Sequence, residues 1–233
     1  DLHSFPTRRS SDLEPERQRA QHFDALIDAL RSNVSTVVDL AQWVRITDYR
    51  WSLEPLSPAG SLKGIGGRFN IGVDLDRARG QHFPALYLAN NIDTGFREFF
   101  LGNPDDKKMG LTMAELALRR ESSFATFALR GQIDHVLDLR TEKPLIHFAS
   151  IISKFKLTEA TRRFARTSGL RPRSLVKSAK MLHERVLIKP ETWRTEPQLF
   201  GIPAANQVFG RFVRDAGLDR KSTRLNSSHR TGS

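Results

Sequence analysis

Six residues in the first hundred have types suited to holding an anionic ligand and stabilising a developing positive charge. They are Arg45, Gly67, Arg68, Asn70, Tyr87 and Glu98. An arginine on a strand offers a rigid fork of donors to phosphate oxygens, and glycines let a backbone come close enough to offer its N–H groups. A tyrosine ring can stack on a planar ligand while its hydroxyl forms a hydrogen bond. A carboxylate can stabilise a cation or orient an attacking nucleophile.

Each of these residues also has an ordinary structural explanation. Arg45 can be a surface residue of an edge strand, and Arg68 can bind the carbonyls of its own turn. Asn70 is a common turn residue, and Tyr87 can be a core tyrosine with its hydroxyl at the surface. Glu98 can face solvent on a helix, although three phenylalanines stand close to it in the sequence.

Standard catalytic motifs do not occur in the sequence. GIGGRF (64–69) does not follow a strand and open a helix, as a dinucleotide-binding turn must. Walker loops, His-Glu-x-x-His and the nucleophile elbow are missing. The chain has no cysteine and its seven histidines are scattered, so we expect no metal site.

The elements that position the six residues follow from hydrophobic spacing and turn residues. Phe23, Leu26, Ile27 and Leu30 predict an amphipathic helix over 14–31. Residues 48–82, rich in glycine, proline and serine, predict a long loop with a short extended piece near 67–71. Residues 91–101 predict a short helix with Ile92, Phe96 and Phe99 on one face. Strands are predicted at 42–47, 83–90, 123–129 and 135–139, the last two joined through Gly131.

The second half of the sequence is helical. Its last helix is bounded by Pro203 near the start and Gly217 just past the end. The predicted buried stripe of that helix is Ala205, Val208, Phe209, Phe212, Val213 and Ala216. Three helices are predicted before it: one marked by Leu145, Phe148, Ala149 and Ile152; one capped by Thr158 with Arg162, Arg163 and Arg166 outside; and one marked by Leu175, Ala179, Leu182 and Val186.

These elements predict an α+β fold, with a small mixed or antiparallel sheet flanked by helices. We expect a single domain over 14–219, in which 14–41 form an N-terminal helical extension. Residues 1–13 and 220–233 lack periodicity and resemble translated sequencing-adapter peptides, or else are disordered native tails. Because these polar residues follow the last helix directly, we expect a C-terminal strand to be missing.

Composition limits the class of protein. Hydrophobic residues make up 39% and charged residues 27%, as in globular proteins. No apolar run approaches the roughly 18 residues of a membrane span, and the lack of cysteine fits a cytoplasmic location. The net charge is +11, of which residues 220–233 carry +4, leaving +7 for the predicted domain. This charge suits an anionic ligand but is weak evidence for nucleic-acid binding.

The order and spacing of these residues resemble the RES-domain family, named for conserved Arg, Glu and Ser. The segments that carry the resemblance are Trp43–Thr47, Gly66–Asn70, Ala85–Ala89 and Glu98. The resemblance implies an ADP-ribosyltransferase-like fold and cleavage of the nicotinamide–ribose bond of NAD, by hydrolysis or phosphorolysis. It implies a toxin of a toxin–antitoxin pair, whose usual partner is a small Xre-like helix-turn-helix antitoxin. NAD is then the substrate, and no separate cofactor is expected.

The resemblance also implies a role for each residue. Glu98 and Arg45 take the catalytic positions, and the substrate-binding positions fall on Gly67, Arg68, Asn70 and Tyr87. Ile46 stands where the family often has an aromatic residue, which removes a stacking contact. The family serine is not assigned, because Ser222 comes too soon after the last helix and lacks the Tyr-Pro setting.

Two other functions stay open at this point. One is transfer of ADP-ribose to a protein, which at least one branch of that family is described as doing. The other is a basic module that binds nucleic acid or a partner protein without catalysis. Against this module, the aromatic residues lie within apolar faces, so we expect neither direct nucleic-acid binding nor membrane binding.

Overall fold

The computed structural model describes residues 16–33, 36–77, 80–100, 123–159, 162–163, 167, 175–188 and 193–221. Within them helices combine with two small sheets, which confirms the α+β class. In chain order the elements are α1 (Phe23–Arg31), β1 (Thr36–Asp39), β2 (Val44–Asp48), α2 (Ile92–Phe100), β3 (Phe124–Ala128), β4 (Gln132–Asp138), α3 (Ile146–Ile152), α4 (Ala179–His183), α5 (Thr195–Phe200), α6 (Ala205–Asp215) and β5 (Asp219–Lys221).

The chain divides into two compact units. One, here called the site unit, comprises residues 36–136 and 190–211; the other comprises 1–35, 137–189 and 212–233. All six candidate residues belong to the site unit. Each unit is described by itself below.

The strands of the described residues form two sheets instead of the one small sheet that the sequence predicted. β2 pairs antiparallel with β3, from Val44 opposite Ala128 to Asp48 opposite Phe124. The other sheet has the order β1-β4-β5, and β1 pairs antiparallel with β4. Gly131 joins β3 to β4 at a φ of 119°, a left-handed conformation that glycine adopts without strain. The connection was predicted correctly, but it leads from one sheet into the other.

Residues 83–90 do not form the predicted strand. Only Ala89 makes a bridge, exchanging backbone hydrogen bonds with Val44 at 2.8 and 2.9 Å. The other backbone groups bind loops and side chains: Phe83 N donates to Ile71 O at 3.2 Å, and Ala85 N donates to the Ser61 hydroxyl at 2.9 Å. The apolar segment thus lies beside β2 at Ala89, while backbone groups before it bind loops and side chains instead of a neighbouring strand.

The loop between β2 and this segment contains two short 3₁₀ turns, Tyr49–Trp51 and Ala59–Leu62. The predicted extended piece at 67–71 is wrong, because residues 68–70 form a turn. A small apolar cluster of Ile71, Leu75 and Phe83, with Ile65 against it, anchors the loop. The long loop is therefore ordered around its own core.

α2 confirms the predicted short helix and packs on β2. Phe96 and Phe99 both lie against Phe124 of β3, with ring centroids 5.4 and 6.1 Å apart. Ile92 is exposed, so the predicted apolar face is narrower than expected. Gly95 lies at the contact with β2, where a Cβ atom would stand 2.9 Å from Ile46 Cδ1 and 3.3 Å from Val44 Cγ2. The absent side chain brings the helix close to the strand.

α6 confirms the last predicted helix. At its first residues, the buried side chains differ from those predicted. Phe209, Phe212, Val213 and Ala216 are buried as expected, whereas Ala205 is exposed. The polar residues Asn206 and Gln207 are buried instead. Gly217 follows the helix at a φ of 70°, as a C-terminal glycine should.

The other unit is mainly helical, and most of its helices were predicted from the sequence. The predicted helix over 14–31 is interrupted at His22, and Leu26, Ile27 and Leu30 of α1 are buried. The rings of Phe23 and Phe148 each pack on Phe212, with centroids 5.7 and 5.5 Å apart.

The remaining helices of this unit begin close to their predicted positions. Ser178 caps α4 by accepting a hydrogen bond from Met181 N at 3.1 Å, and a π-helical stretch, Glu184–Ile188, continues it. Glu159, Arg162, Arg163 and Thr167 are helical, and Arg162 N donates to Thr158 O at 3.0 Å. Arg162 and Arg163 are exposed as predicted, and Arg166 lies outside the described residues.

A strand does follow the last helix. β5, at Asp219–Lys221, joins the β1-β4-β5 sheet. Residues 220 and 221 therefore belong to a strand, although 220–233 were predicted to lack structure. The absence of a further C-terminal strand stays a prediction. Ser222 and the residues after it lie outside the described residues, as do residues 1–15.

Candidate functional site

Arg45 lies on β2, directly opposite Phe127 of β3. Its Nη1 donates a hydrogen bond of 2.7 Å to the backbone carbonyl of Tyr87. Its Nε is buried, and no acceptor within the described part of the chain reaches it. Burial lowers the pKa of Arg45 below its ordinary value, and the charge of Asp48 only partly opposes this effect. The site unit thus holds a partly dehydrated guanidinium whose Nε–H has no hydrogen-bond acceptor among the described residues.

Asn70 organises the glycine-rich turn. Its side chain is fully buried, at 0% exposure. Its Oδ1 accepts hydrogen bonds from Gly67 N at 2.9 Å and from the Tyr87 hydroxyl at 2.8 Å. Its Nδ2 donates to Ser61 O at 2.8 Å. Asn70 therefore joins the turn, the loop before it and the segment at 83–90, and it does this entirely through protein contacts.

The backbone N–H groups of this turn point inward. Gly66 N donates to Lys63 O at 3.0 Å, Gly67 N to Asn70 Oδ1 at 2.9 Å and Phe69 N to the Tyr87 hydroxyl at 3.1 Å. The N–H of Gly67 is therefore engaged by Asn70 in this structure, and its role toward a phosphate stays a prediction. The glycine is needed for space: a Cβ atom at Gly67 would overlap the Tyr87 hydroxyl and stand 2.7 Å from Asn70 Oδ1.

Tyr87 serves the same network. Its hydroxyl donates to Asn70 and accepts from Phe69 N, so both of its hydrogen-bonding roles are filled within the protein. The hydroxyl thus forms the hydrogen bonds that were predicted for it, with groups of the protein itself. The half-buried ring remains a candidate stacking surface, and the Tyr87 carbonyl fixes Arg45.

Arg68 projects from this turn and is only 7% exposed. Its guanidinium lies over the ring of Phe69, with 5.4 Å between the Cζ atom and the ring centroid. A cation over an aromatic face is stabilised by the ring quadrupole and keeps its charge. The structure therefore holds a second, largely buried guanidinium, two residues before Asn70.

Glu98 is carried by α2, the helix that packs on the strand of Arg45. It is half-buried and lies three residues after Gly95, which places it on a neighbouring position of the same helix face. Ile46, next to Arg45, is 8% exposed and lies beside Gly95. Ile46 is thus a packing residue between β2 and α2.

Hydrogen bonds therefore connect four of the six candidates, Arg45, Gly67, Asn70 and Tyr87, within the site unit. Arg68 lies within the same turn, and Glu98 lies on the helix packed against β2. Sequence reasoning missed Gln207, whose side chain reaches Ile65 O, Gly67 O and Asn70 O. A signal was present, since glutamine at the third position of a helix is half of a capping box.

Comparisons of the chain with protein families, with curated proteins and with solved structures gave no match. No helix among the described residues is long and apolar enough to cross a membrane. Among those same residues, His, Asp and Glu side chains do not gather in a group that could hold a metal ion.

Proposed function

We propose that this chain is an enzyme that cleaves the nicotinamide–ribose bond of NAD by hydrolysis or phosphorolysis. In this proposal it acts in the cytoplasm as the toxin of a toxin–antitoxin pair. Its protein partner is a small antitoxin of the Xre-like helix-turn-helix type. NAD is the substrate, and no further cofactor takes part. The resemblance to the RES-domain family supports this choice, and the state of Arg45 supports the anionic ligand.

Arg45 is the observation that carries the proposal. Burial removes water from its guanidinium without supplying a full counter-charge, which is the physical meaning of its lowered pKa. One donor, Nη1, is held by the Tyr87 carbonyl, so the plane of the fork is fixed. The unmet Nε requires an acceptor, and an oxygen of a diphosphate would supply both the hydrogen bond and the charge.

Cleavage of the nicotinamide–ribose bond needs little acid catalysis from the protein. The nicotinamide nitrogen of NAD is already cationic, so it leaves with the electron pair of its bond to ribose C1′ and needs no protonation. The ribose then carries oxocarbenium character, and the oxygen of water or phosphate bonds to C1′. Glu98 would stabilise this cation and accept the proton of an attacking water. Arg68 would add positive charge for the phosphates.

In this reading Gly67, Asn70 and Tyr87 contribute by shaping the site. They hold the turn that carries Arg68 and the carbonyl that orients Arg45. The guanidinium groups are then already in place before the reaction, so they need not move when charge develops on the substrate.

The proposal is tested by incubating the purified chain with NAD labelled in its adenosine part. Free ADP-ribose identifies hydrolysis, ADP-ribose 1″-phosphate identifies phosphorolysis, and label on protein identifies transfer. We expect Glu98→Gln to lower turnover about a hundredfold, the usual effect of losing one preorganised electrostatic contact. Glu54→Gln makes the same change at an exposed residue of the site unit and should leave turnover unchanged.

Two results would overturn the proposal. One is no loss of NAD with a folded chain. The other is nucleic-acid binding that weakens steeply with salt while NAD stays intact, which would favour the basic binding module. Equal turnover of wild type and Glu98→Gln would remove Glu98 from the site.

A further inference from the structure

Gln207 is a fully buried amide that bonds on both of its ends. Its exposure is 0%. Its Nε2 donates to Ile65 O at 2.8 Å, to Gly67 O at 3.1 Å and to Asn70 O at 2.9 Å. Its Oε1 accepts a hydrogen bond of 3.0 Å from Ala204 N, the residue just before α6. One side chain therefore links the start of a helix to a loop about 140 positions earlier in the chain.

The oxygen and the nitrogen of this amide have different hydrogen-bonding roles. The oxygen satisfies a backbone N–H at the helix start, as the third residue of a capping box does. A glutamate would do this equally well. The nitrogen satisfies carbonyls of the turn that carries Arg68, and a carboxylate cannot donate those bonds. Glutamine meets both demands at once.

The turn is consequently held from two sides. Asn70 and the Tyr87 hydroxyl bind its N–H groups, while Gln207 binds carbonyls on both sides of Arg68, those of Gly67 and Asn70. Glycines at 66, 67 and 72 make the turn conformationally free in the unfolded chain, so its folded shape depends on such contacts. An amide bonded to three carbonyls restricts the backbone that aims the Arg68 side chain.

We infer that Gln207 is a positioning residue of the proposed NAD site, acting through the turn of Arg68. This inference rests on the proposed function. Gln207 contacts the loop and does not contact the substrate in this proposal. The expected effect is on substrate binding, because Arg68 is proposed to hold the phosphates.

The decisive variant is Gln207→Glu, which keeps the helix cap and removes the donors to the loop. At a pH high enough to ionise the new carboxyl, we expect the KM for NAD to rise about tenfold, the equivalent of roughly one hydrogen bond, with kcat changed less than about twofold. A merely structural role predicts the opposite split, since partial unfolding removes active molecules and lowers the apparent kcat at unchanged KM. Gln198→Glu is the matched control, because Gln198 is an exposed glutamine on α5.

A second variant and a pH series keep the test valid even if one variant is destabilised. Gln207→Met preserves volume and removes both the cap and the donors, so its KM should rise at least as much. In Gln207→Glu, protonation of the new carboxyl restores a donor. Surrounding carbonyls and burial favour that neutral form, so the KM of this variant should return toward that of wild type as the pH falls. The Gln207→Met variant should show no such return.

The outcomes separate the two proposals. If wild type does not consume NAD, the proposed function fails and this inference fails with it. If wild type consumes NAD while Gln207→Glu and Gln207→Met keep its KM, or lower only kcat, Gln207 is not a positioning residue and the proposed function stands. A raised KM in both variants, relieved at low pH in the glutamate variant alone, establishes the positioning role.

Discussion

Arg45 and Tyr87 are joined by a hydrogen bond of 2.7 Å from a guanidinium to a backbone carbonyl. In an ordinary sheet that carbonyl would accept from the N–H of a neighbouring strand. Here the Arg45 side chain donates to it instead, and residues 83–90 bridge to β2 only at Ala89. The same bond fixes the orientation of the guanidinium and leaves its Nε for another acceptor.

Replacing Arg45 with alanine should abolish ligand-induced stabilisation. ADP carries the diphosphate that the unmet donor of Arg45 is proposed to bind, so it should raise the melting temperature of wild type. At a concentration of 100 times the Kd, binding stabilises the folded state by about 2.7 kcal/mol. The Arg45→Ala variant should lose this rise, measured by differential scanning fluorimetry across an ADP titration. Arg130→Ala, at an exposed arginine of the site unit, should keep it. An undiminished rise in Arg45→Ala would show that ADP binds elsewhere.

The hydroxyl of Tyr87 should contribute measurably to folding stability. Tyr87→Phe leaves the Phe69 N–H without its acceptor and removes a donor to Asn70. We expect a loss of about 1–3 kcal/mol in the free energy of unfolding, the cost of leaving buried polar groups unsatisfied. The chain offers a matched control, because its other tyrosine, Tyr49, is 64% exposed. Urea unfolding should show Tyr49→Phe within about 0.5 kcal/mol of wild type. Equal effects of the two substitutions would contradict the network.

Gly67 should tolerate no added side chain, although its backbone conformation is ordinary. In Gly67→Ala the new Cβ would overlap the Tyr87 hydroxyl and crowd Asn70 Oδ1 at 2.7 Å. Relieving that overlap breaks the hydrogen bonds at Asn70, so we expect a loss of about 2 kcal/mol or more. Gly60→Ala is the control, since the nearest atom to its Cβ would be Trp51 Nε1 at 3.4 Å. Thermal unfolding of both variants measures the difference, and a Gly67→Ala variant as stable as Gly60→Ala would refute the close approach.

Phe124 should support α2 and with it the position of Glu98. Its ring meets Phe96 and Phe99 of that helix, so Phe124→Ala removes the aromatic contact between α2 and β3. We expect a loss of about 2–4 kcal/mol, below the full range for a core phenylalanine because this ring is only half-buried. Phe124→Leu keeps most of the apolar volume and should lose less than about 1.5 kcal/mol. Chemical denaturation measures both, and an alanine variant that unfolds like wild type would mean that α2 is held by other contacts.

Local pattern predicted much of the architecture. The spacing of apolar residues located α1, α2, α3 and α6, and alternation located β2, β3 and β4, because both signals are periods of the backbone itself. Gly131 and Gly217 were identified from residue type, since only certain residues adopt positive φ readily. Local reasoning failed for 83–90, because an apolar segment becomes a strand only when a partner strand lies beside it along its length.

Residue types and their order were enough to single out Arg45, Gly67, Arg68, Asn70, Tyr87 and Glu98. The direction of their hydrogen bonds was not predictable in this way. Gly67 N and the Tyr87 hydroxyl both bind Asn70, and Gln207 reaches the turn from 137 to 142 positions away in the chain. Burial makes an unpaired polar group costly, and which partner is near depends on how distant segments pack. The sequence alone located α1, α2, α3, α4, α6, β2, β3, β4 and the candidate residues, but it did not predict β1, α5 or β5. The tertiary structure decided which donors the protein uses for itself and that Arg45 Nε is met by none of its described residues.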